Sequence, residues 1–568
     1  MIEFKMGDWR TNASLLGLMN ILDHVGKEYV FSQDGQILKV SKEVLEGFEI
    51  DYFKYFIDTY EKHLPWYRIA SYNEKIKKYL SKLNEFSEEN LKDLNKQIDL
   101  VKDYMRRPNY IKVYEFIDQN IDIVEKVKEL KKINLKKKEN VIDKIIDIEN
   151  ELRLLKEITD FVNTDKARDY MGAKGVIFSY INRGLSSGRS GISFLSQKPK
   201  INDIFIDYKE YFLDTLLKYN EENKDKYKYN CFSCNNPINN LKINMNLVKD
   251  TGFDQTRKSS YIWNHESDFA ICNECLFLYS CLSAGFYYSL NEGIFINYNY
   301  DLEGLKKVNK SLKEHSLSEI GRPENAFSYR ALINAINKEY SRHLEFEIRD
   351  MQIIRYKDGS YRFNLLSKEV LKIINESKED LKAIEKAAYR EGKENIFSIY
   401  DLVLDRVFNN QNLFSLAHFL IVSLISDRYG VDKYYNIYHI SRVLNINSRI
   451  IKEESILVGG KNIGTLTNNS RNAGYYLRKN YMSFMADAKR VENRMKSITY
   501  KMTNALKTNN SGSFMDILIN TYAYIGASIP MYLVEALKDN EKLRIVGYAF
   551  VAGINSFEND KEGVEDEK

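Results

Sequence analysis

Cys231-Phe-Ser-Cys234 and Cys272-Asn-Glu-Cys275 place four of the chain's five cysteines in two Cys-x-x-Cys pairs. Across a tight turn, two thiolates so spaced reach the same small cation, and two such pairs complete a tetrahedron. The expected ligands are therefore Cys231, Cys234, Cys272 and Cys275, around a zinc ion. Four thiolates fill the coordination sphere and leave no position for water, so a metal held this way is structural rather than catalytic. The competing chemistry is two disulfides or four separately buried thiols. Asn235 and Asn236 follow the first pair, where the turn needs a left-handed residue and Asn tolerates that conformation. After the second pair, Leu-Phe-Leu-Tyr-Ser-Cys-Leu reads as an apolar helix whose N-terminal dipole favours the thiolates of Cys272 and Cys275. Cys281 falls inside that helix and, with His265, is a reserve ligand only. The 37 residues between Cys234 and Cys272 exceed a zinc-ribbon gap, so the intervening segment is expected to be a small structured insertion.

Two further stretches carry chemistry suited to nucleic acid. Between 174 and 200 the chain turns rich in Gly, Ser and Arg. Gly184, Gly188 and Gly191 would let backbone amides approach a phosphate, while Lys174, Arg183, Arg189, Lys198 and Lys200 supply charge. Asn182, Ser186 and Ser187 offer donors and acceptors to base edges. The segment matches no Walker or dinucleotide pattern, and a mobile surface loop is the bland alternative. Residues 461–510 hold ten Lys or Arg against Asp487 and Glu492. Arg490, Arg494 and Lys501 lie on one helical stripe; Arg471, Arg478, Lys489 and Lys496 can form its neighbour, a track suited to a phosphate backbone. A solvated basic face is the plain alternative. The run Lys136-Lys-Lys138 reads as such a face.

The elements that must position these groups are legible in outline. With 568 residues the chain should form two to four domains, and a net charge of +4 means that any nucleic-acid contact must come from local patches. The 41 Tyr, beside many Lys, Asn and Ile, are explained first by AT-rich codons. Six prolines suit long helices. The start Met-Ile-Glu-Phe-Lys lacks the features of a signal peptide, Leu413 to Ile425 is too short to span a bilayer, and a cytoplasmic protein is expected.

The fold class read from these patterns is α+β: a mixed N-terminal domain with a zinc-knuckle module, and an all-helical C-terminal bundle. The expected divisions are 1–230, containing a charged helical segment at about 75–161 and the loop 174–200; the knuckle module 231–281; a strand-containing region 282–394; helices over 395–557; and a disordered acidic tail 558–568. Within them, Asn12 is expected to cap a helix with apolar positions 15, 18, 19 and 22 on one face, 293–300 to form a strand, and 343–363 a hairpin around Lys357-Asp-Gly-Ser360.

The Gly7-Asp-Trp9 start with Asn12 before an apolar helix, the two Cys pairs near mid-chain and the helical last third together resemble the CXXC-CXXC family, large subunits of the type I-B CRISPR Cascade effector. The resemblance implies a non-catalytic subunit at the crRNA 5′ end that senses the motif flanking a target, helps to open the duplex and leaves cleavage to a recruited helicase-nuclease. It implies crRNA, other Cascade subunits, target duplex and the displaced strand as partners, and a C-terminal third like that family's small subunit. In some type I-B systems a separate small subunit arises by internal translation; Met482 and Met485 are candidate starts. Two readings compete: a stand-alone zinc-containing DNA-binding regulator, and a zinc-stabilised nuclease in which Asp350 and Asp358 hold magnesium.

Overall fold

The computed structural model describes residues 1–136, 139–186, 192, 194–195, 203–249, 269–289, 292–318, 351–357, 359–392, 395–426, 431–451, 463–484, 488–556. Two compact units divide them. The first holds Met1–Lys310 and Ile354–Arg362; the second holds Ser311–Ile353 and Phe363–Lys568.

The first unit is built around helix α1 (Trp9–Val25). Asp8 caps it, its Oδ1 accepting the Thr11 N–H at 2.9 Å, and Gly26 closes it at φ +71°. The expected cap, Asn12, lies inside the helix instead. It is buried, accepts the Gly7 N–H at 3.0 Å and donates to Asn297 Oδ1 at 2.9 Å and Asn299 Oδ1 at 2.8 Å. A carboxylate four residues earlier does the capping, and the Asn amide ties the N-terminal turn to a strand far away in sequence. Nor is α1 one-faced: Ala13, Leu15, Leu16, Leu18, Met19, Ile21 and Leu22 are all fully buried, as befits a helix enclosed by other elements. Preceding it, β1 (Ile2–Lys5) pairs antiparallel with β3 (Ile37–Val40), which also pairs with β2 (Val30–Phe31).

Helix α2 (Phe48–Tyr60) packs on α1 with an aromatic face: Phe48, Tyr52, Phe53 and Phe56 are buried, and the Tyr52 ring packs tilted against Tyr208 at 4.5 Å between centroids. Much of the charged stretch is helical, including Glu88–Met105 and Ile145–Val162, where Ile148, Leu152 and Leu155 are buried at helical spacing; Val127, Leu130, Ile133 and Val141 are buried too, but the helix Ile123–Glu129 ends before Leu130, so Leu130 and Ile133 pack from outside any helix. Two strands, β4 (Tyr229–Asn230) and β5 (Pro237–Ile238), form a short hairpin. A four-stranded sheet of order β6 (Tyr287–Ser289), β7 (Glu292–Asn297), β8 (Met351–Lys357), β9 (Ser360–Leu366) includes the hairpin expected around 357–360, with Gly359 at φ +79° in its turn.

In the second unit, helix Ile463–Phe484 packs along Asn540–Ile554, and Ala488–Lys507 contacts both. A Cβ on Gly474 would stand 2.1 Å from the Phe550 carbonyl oxygen, and one on Gly553 would stand 1.9 Å from that of Arg471, so only glycine permits this approach. The apolar run from Leu413 is the helix Phe414–Ile425, buried at Phe414, Leu416, Ala417, Leu420 and Ile421. This unit is not purely helical beyond 395. Strands β10 (Ala388–Glu391), β11 (Asn395–Ser398) and β12 (Val431–Tyr434) form an antiparallel sheet of order β11-β10-β12. Strands of four residues are too short for their alternation to show in the sequence; β10 and β11 pair as neighbours in the chain, while the pairing of β10 with β12 is long-range, with Arg390 Nε donating to Asp432 Oδ2 at 2.9 Å. No described helix is long and apolar enough to cross a membrane.

Candidate metal centre

The β4–β5 hairpin presents the first knuckle. Between its strands the Cys231 N–H donates to Asn236 O at 2.7 Å and the Asn235 N–H to Cys231 O at 2.9 Å. Asn235 adopts φ +64°, the left-handed turn that its short amide side chain tolerates. Phe232 N donates to Ala270 O at 2.8 Å, which draws the second knuckle alongside. There Cys272 is the N-cap of helix Asn273–Ser280, its sulfur accepting the Cys275 N–H at 3.4 Å. A Cys–x–x–Cys pair at a helix start thus serves as cap and chelate together.

The four sulfurs lie within 4.8 Å of one another. Cys231 Sγ and Cys275 Sγ are 3.7 Å apart, and Cys234 Sγ and Cys272 Sγ 3.5 Å. A tetrahedron with a metal–sulfur bond of about 2.3 Å has edges of about 3.8 Å, so two of the sulfur pairs already stand at that spacing and the whole set is gathered closely enough for one metal ion. All five cysteines are free thiols, which removes the disulfide alternative. Cys231, Cys272 and Cys275 are buried and Cys234 is exposed. Without a cation these thiols compete for protons. Hydrogen bonds from Cys234, Cys272 and Cys275 hold the Cys231 thiol far below its ordinary range, whereas hydrogen bonding to Cys231 pushes Cys272 and Cys275 up. One thiolate is stable here, and four require a neutralising ion. The Cys272 N–H also points at Cys231 Sγ, at 3.2 Å.

Further hydrogen bonds fix the surroundings. Asn236 Nδ2 donates to Glu274 Oε2 at 2.7 Å and Asn273 Nδ2 to Thr215 O at 2.9 Å. Thr11 donates its hydroxyl proton to Asp8 at 3.0 Å, so Tyr279 Oη, 3.3 Å away, must donate to Thr11, and Ser233 in the first knuckle must donate to Tyr279 at 2.6 Å. The N-terminal motif and the knuckle are therefore one hydrogen-bonded assembly. Cys281 stands apart from the four, buried in the turn after the helix; burial pushes its thiol up to about 12. His265, Asp350 and Asp358 lie outside the described residues. Among the described residues, the four cysteines are the one metal-suited group of His, Cys, Asp or Glu.

The expected nucleic-acid residues are placed less uniformly. The stretch from 174 opens as helix rather than loop: Asp165–Val176, a wide turn Ile177–Ile181 and a last turn Asn182–Gly184. Lys174 is buried, and desolvation lowers its pKa to about 8. Arg183 lies over the rings of Tyr180 and Tyr288, at 5.4 and 4.9 Å. Ser186 N donates to Leu247 O at 2.7 Å, and Asn182 and Ser186 are both partly exposed. Ser187, Arg189, Lys198 and Lys200 lie outside the described residues. On helix Ala488–Lys507, Lys489, Arg490, Arg494, Lys496 and Lys501 are exposed, while Val491, Met495, Ile498 and Met502 are buried. Lys496 pairs with Glu492 at 3.3 Å. The second stripe is not a surface track: Arg471 is half-buried and Arg478 buried, with Arg478 NH1 donating to Ile554 O at 3.1 Å at a helix C-terminus. Sequence reading passed over Arg442 and Arg449, whose seven-residue spacing puts both on one helix face.

Residues 224–287 match the family model described as CRISPR-associated protein (Cas_CXXC_CXXC). The match covers both knuckles and the helix between them and the sheet, and it indicates a CRISPR-associated protein. No curated protein and no solved structure matches the chain.

Proposed function

We propose that this chain is the non-catalytic large subunit of an RNA-guided CRISPR surveillance complex of the type I-B Cascade kind, braced by one zinc ion. The observation that carries the reading is the family match over 224–287, falling on four sulfurs already disposed as a tetrahedron and hydrogen-bonded through Tyr279 to the Gly-Asp-Trp turn. An all-thiolate tetrahedral set is the preference of zinc among common cations. The ion would cross-link the hairpin and the helix; it has no open position at which to activate a substrate.

In this reading the chain senses the motif beside the target, and guide pairing reads the rest of the sequence. Arg183, held over two tyrosine rings at the start of the Gly/Ser/Arg segment, and Asn182 beside it are the described groups suited to a groove edge. The exposed basic face of Ala488–Lys507 suits the backbone of a displaced strand. Cleavage falls to a recruited helicase-nuclease.

Reconstitution with crRNA and the other subunits tests this directly, using targets that differ only in the flanking motif. Discrimination should require this chain. Replacing Arg183 and Arg189 with Ala should reduce discrimination, whereas neutralising Arg490, Arg494 and Lys501 should weaken binding by a similar factor on every target. Tight duplex binding without guide RNA would instead support a stand-alone regulator, and magnesium-dependent cutting by the purified chain a nuclease.

A further inference from the structure

The second unit holds a cluster of charges outside both the metal centre and the exposed basic face. Asp380, 3% exposed, accepts two arginines from helix Ile437–Ile450: Arg442 NH1 at 3.1 Å on Oδ1 and Arg449 NH1 at 2.6 Å on Oδ2. Asn445, between them on the same face, donates to Oδ1 at 3.3 Å. Both guanidinium planes are fixed by a further contact, Arg442 NH2 to Tyr438 Oη at 3.0 Å and Arg449 NH1 to Ser377 Oγ at 3.1 Å. Arg442 also lies 4.7 Å above the Tyr438 ring.

Helix Ile463–Phe484, packed on Ile437–Ile450, adds Arg471. This arginine is half-buried and has no carboxylate partner among the described residues. Burial and the nearby charge of Arg442 both lower its pKa, as expected for a cation without a counter-ion. Arg442 and Arg449 share the single carboxylate of Asp380, which leaves one positive charge uncompensated, and Arg471 lies near enough to Arg442 to feel its charge. Arg442 and Arg449 keep 33% and 31% of their side chains exposed, so the cluster is reachable from water. Each guanidinium has five N–H donors in a rigid fork, and the contacts named use only some of them.

We propose that Arg442, Arg449 and Arg471 form a binding site for one backbone phosphate of a nucleic-acid strand, with Asp380 as the positioning residue that aligns two of the three forks. The polynucleotide source rests on the functional reading above; the phosphate chemistry does not. Planar, pre-aligned guanidiniums match the tetrahedral oxygens of phosphate and retain little entropy to lose on binding. The same unit carries the exposed basic face of Ala488–Lys507, which provides further charge for a strand and nothing for a free anion.

The full chain would be titrated with a labelled single-stranded DNA oligonucleotide over a salt series, and separately melted with and without inorganic phosphate. Arg471→Gln should weaken DNA binding several-fold and reduce the slope of log K against log salt by about 0.7 to 1, the value of one lost phosphate contact. Arg449→Gln should act in the same direction. Because Arg471 has no carboxylate partner among the described residues, its removal should leave the melting temperature equal or raised, so a folding defect will not mimic the result. Phosphate should raise the melting temperature of the parent chain and not of Arg471→Gln. Unchanged affinity and slope in Arg471→Gln would overturn the site while leaving the Cascade reading intact. Phosphate protection without DNA binding would overturn the polynucleotide source, while the proposed function itself is decided by the reconstitution above.

Discussion

Cys272 combines two roles that one substitution can separate. Its sulfur caps the helix Asn273–Ser280 by accepting the Cys275 N–H, and it is also one corner of the sulfur tetrahedron. A serine hydroxyl caps a helix well but is a poor ligand for a soft cation, so Cys272→Ser should keep the helix and lose the metal. Elemental analysis should show the parent's one ion per chain falling severalfold, with lower solubility because the knuckles dock around the ion; unchanged metal would refute the assignment. Lys174 makes a second residue-scale test. Its folded pKa of about 8 lies below the ordinary lysine value of 10.5. Between those values the unfolded chain binds more protons than the folded one, so stability rises with pH across that window, and below about 8 the burial penalty is present in full. Lys174→Met should therefore stabilise the chain at neutral pH, by an amount on the order of 3 kcal/mol, and remove the part of the alkaline rise between pH 8 and 10.5. Parallel urea titrations of parent and variant across that range would show it; identical pH profiles would exclude Lys174 as the source.

At the scale of elements, the critical contact is α1 lying against the turn Leu282–Gly285 that follows the knuckle helix. A Cβ on Gly285 would fall 1.9 Å from the Ala13 carbonyl oxygen, and one on Gly17 2.0 Å from that of Cys281; both obstacles are backbone and cannot rotate away. Gly285→Ala should thus destabilise the first unit by about 3 kcal/mol, the upper range for overpacking, and loosen the metal site that the turn supports. Trp9 and Trp66 are buried in the first unit, and the stretches of the second unit hold no tryptophan, so tryptophan fluorescence during denaturation does not report the second unit. An unshifted fluorescence midpoint would contradict the tight packing. This contact also shows where sequence reading reaches its end. The knuckles were legible because their chemistry is local: ligands two positions apart, an Asn for the left-handed turn, an apolar helix directly after. The helices Glu88–Met105 and Ile145–Val162 were legible because burial repeats with their period, whereas Leu130 and Ile133 mimic that period while packing from outside the helix that ends at Glu129. Asn12 was misread as a cap since its actual partners, Asn297 and Asn299, are nearly three hundred residues away, and the Thr11–Tyr279–Ser233 relay is invisible for the same reason. Strands β10–β12 escaped because four residues alternate too briefly to be distinguished from chance. Arg442 and Arg449 carried a usable signal, a seven-residue spacing, but their meaning depends on Asp380, which only the fold brings to them.

At the scale of the whole molecule, the question is whether the helical portion could exist as a product begun within the chain. Met482 sits near the end of helix Ile463–Phe484, and Met485 lies outside the described residues. A chain begun at Met482 would discard nearly all of that helix, including buried Leu466 and Leu477, the Gly474 approach to Phe550, and the hydrogen bonds from Ser470 Oγ to Val546 O at 2.8 Å and from Arg478 to Ile554 O. Two buried leucines alone contribute roughly 3 to 6 kcal/mol, and the face of Asn540–Ile554 that they cover would become exposed. Set against a total stability of about 5 to 15 kcal/mol for an ordinary domain, that loss is decisive. The product from Met482 should therefore show little helical circular dichroism and no cooperative melting, whereas a fragment from Phe363 onward, which keeps the packed pair of helices, should melt cooperatively. Cooperative melting of the shorter product would show that Ala488–Lys507, Ser511–Tyr524 and Asn540–Ile554 close a core unaided, and would reinstate an internal start at Met482.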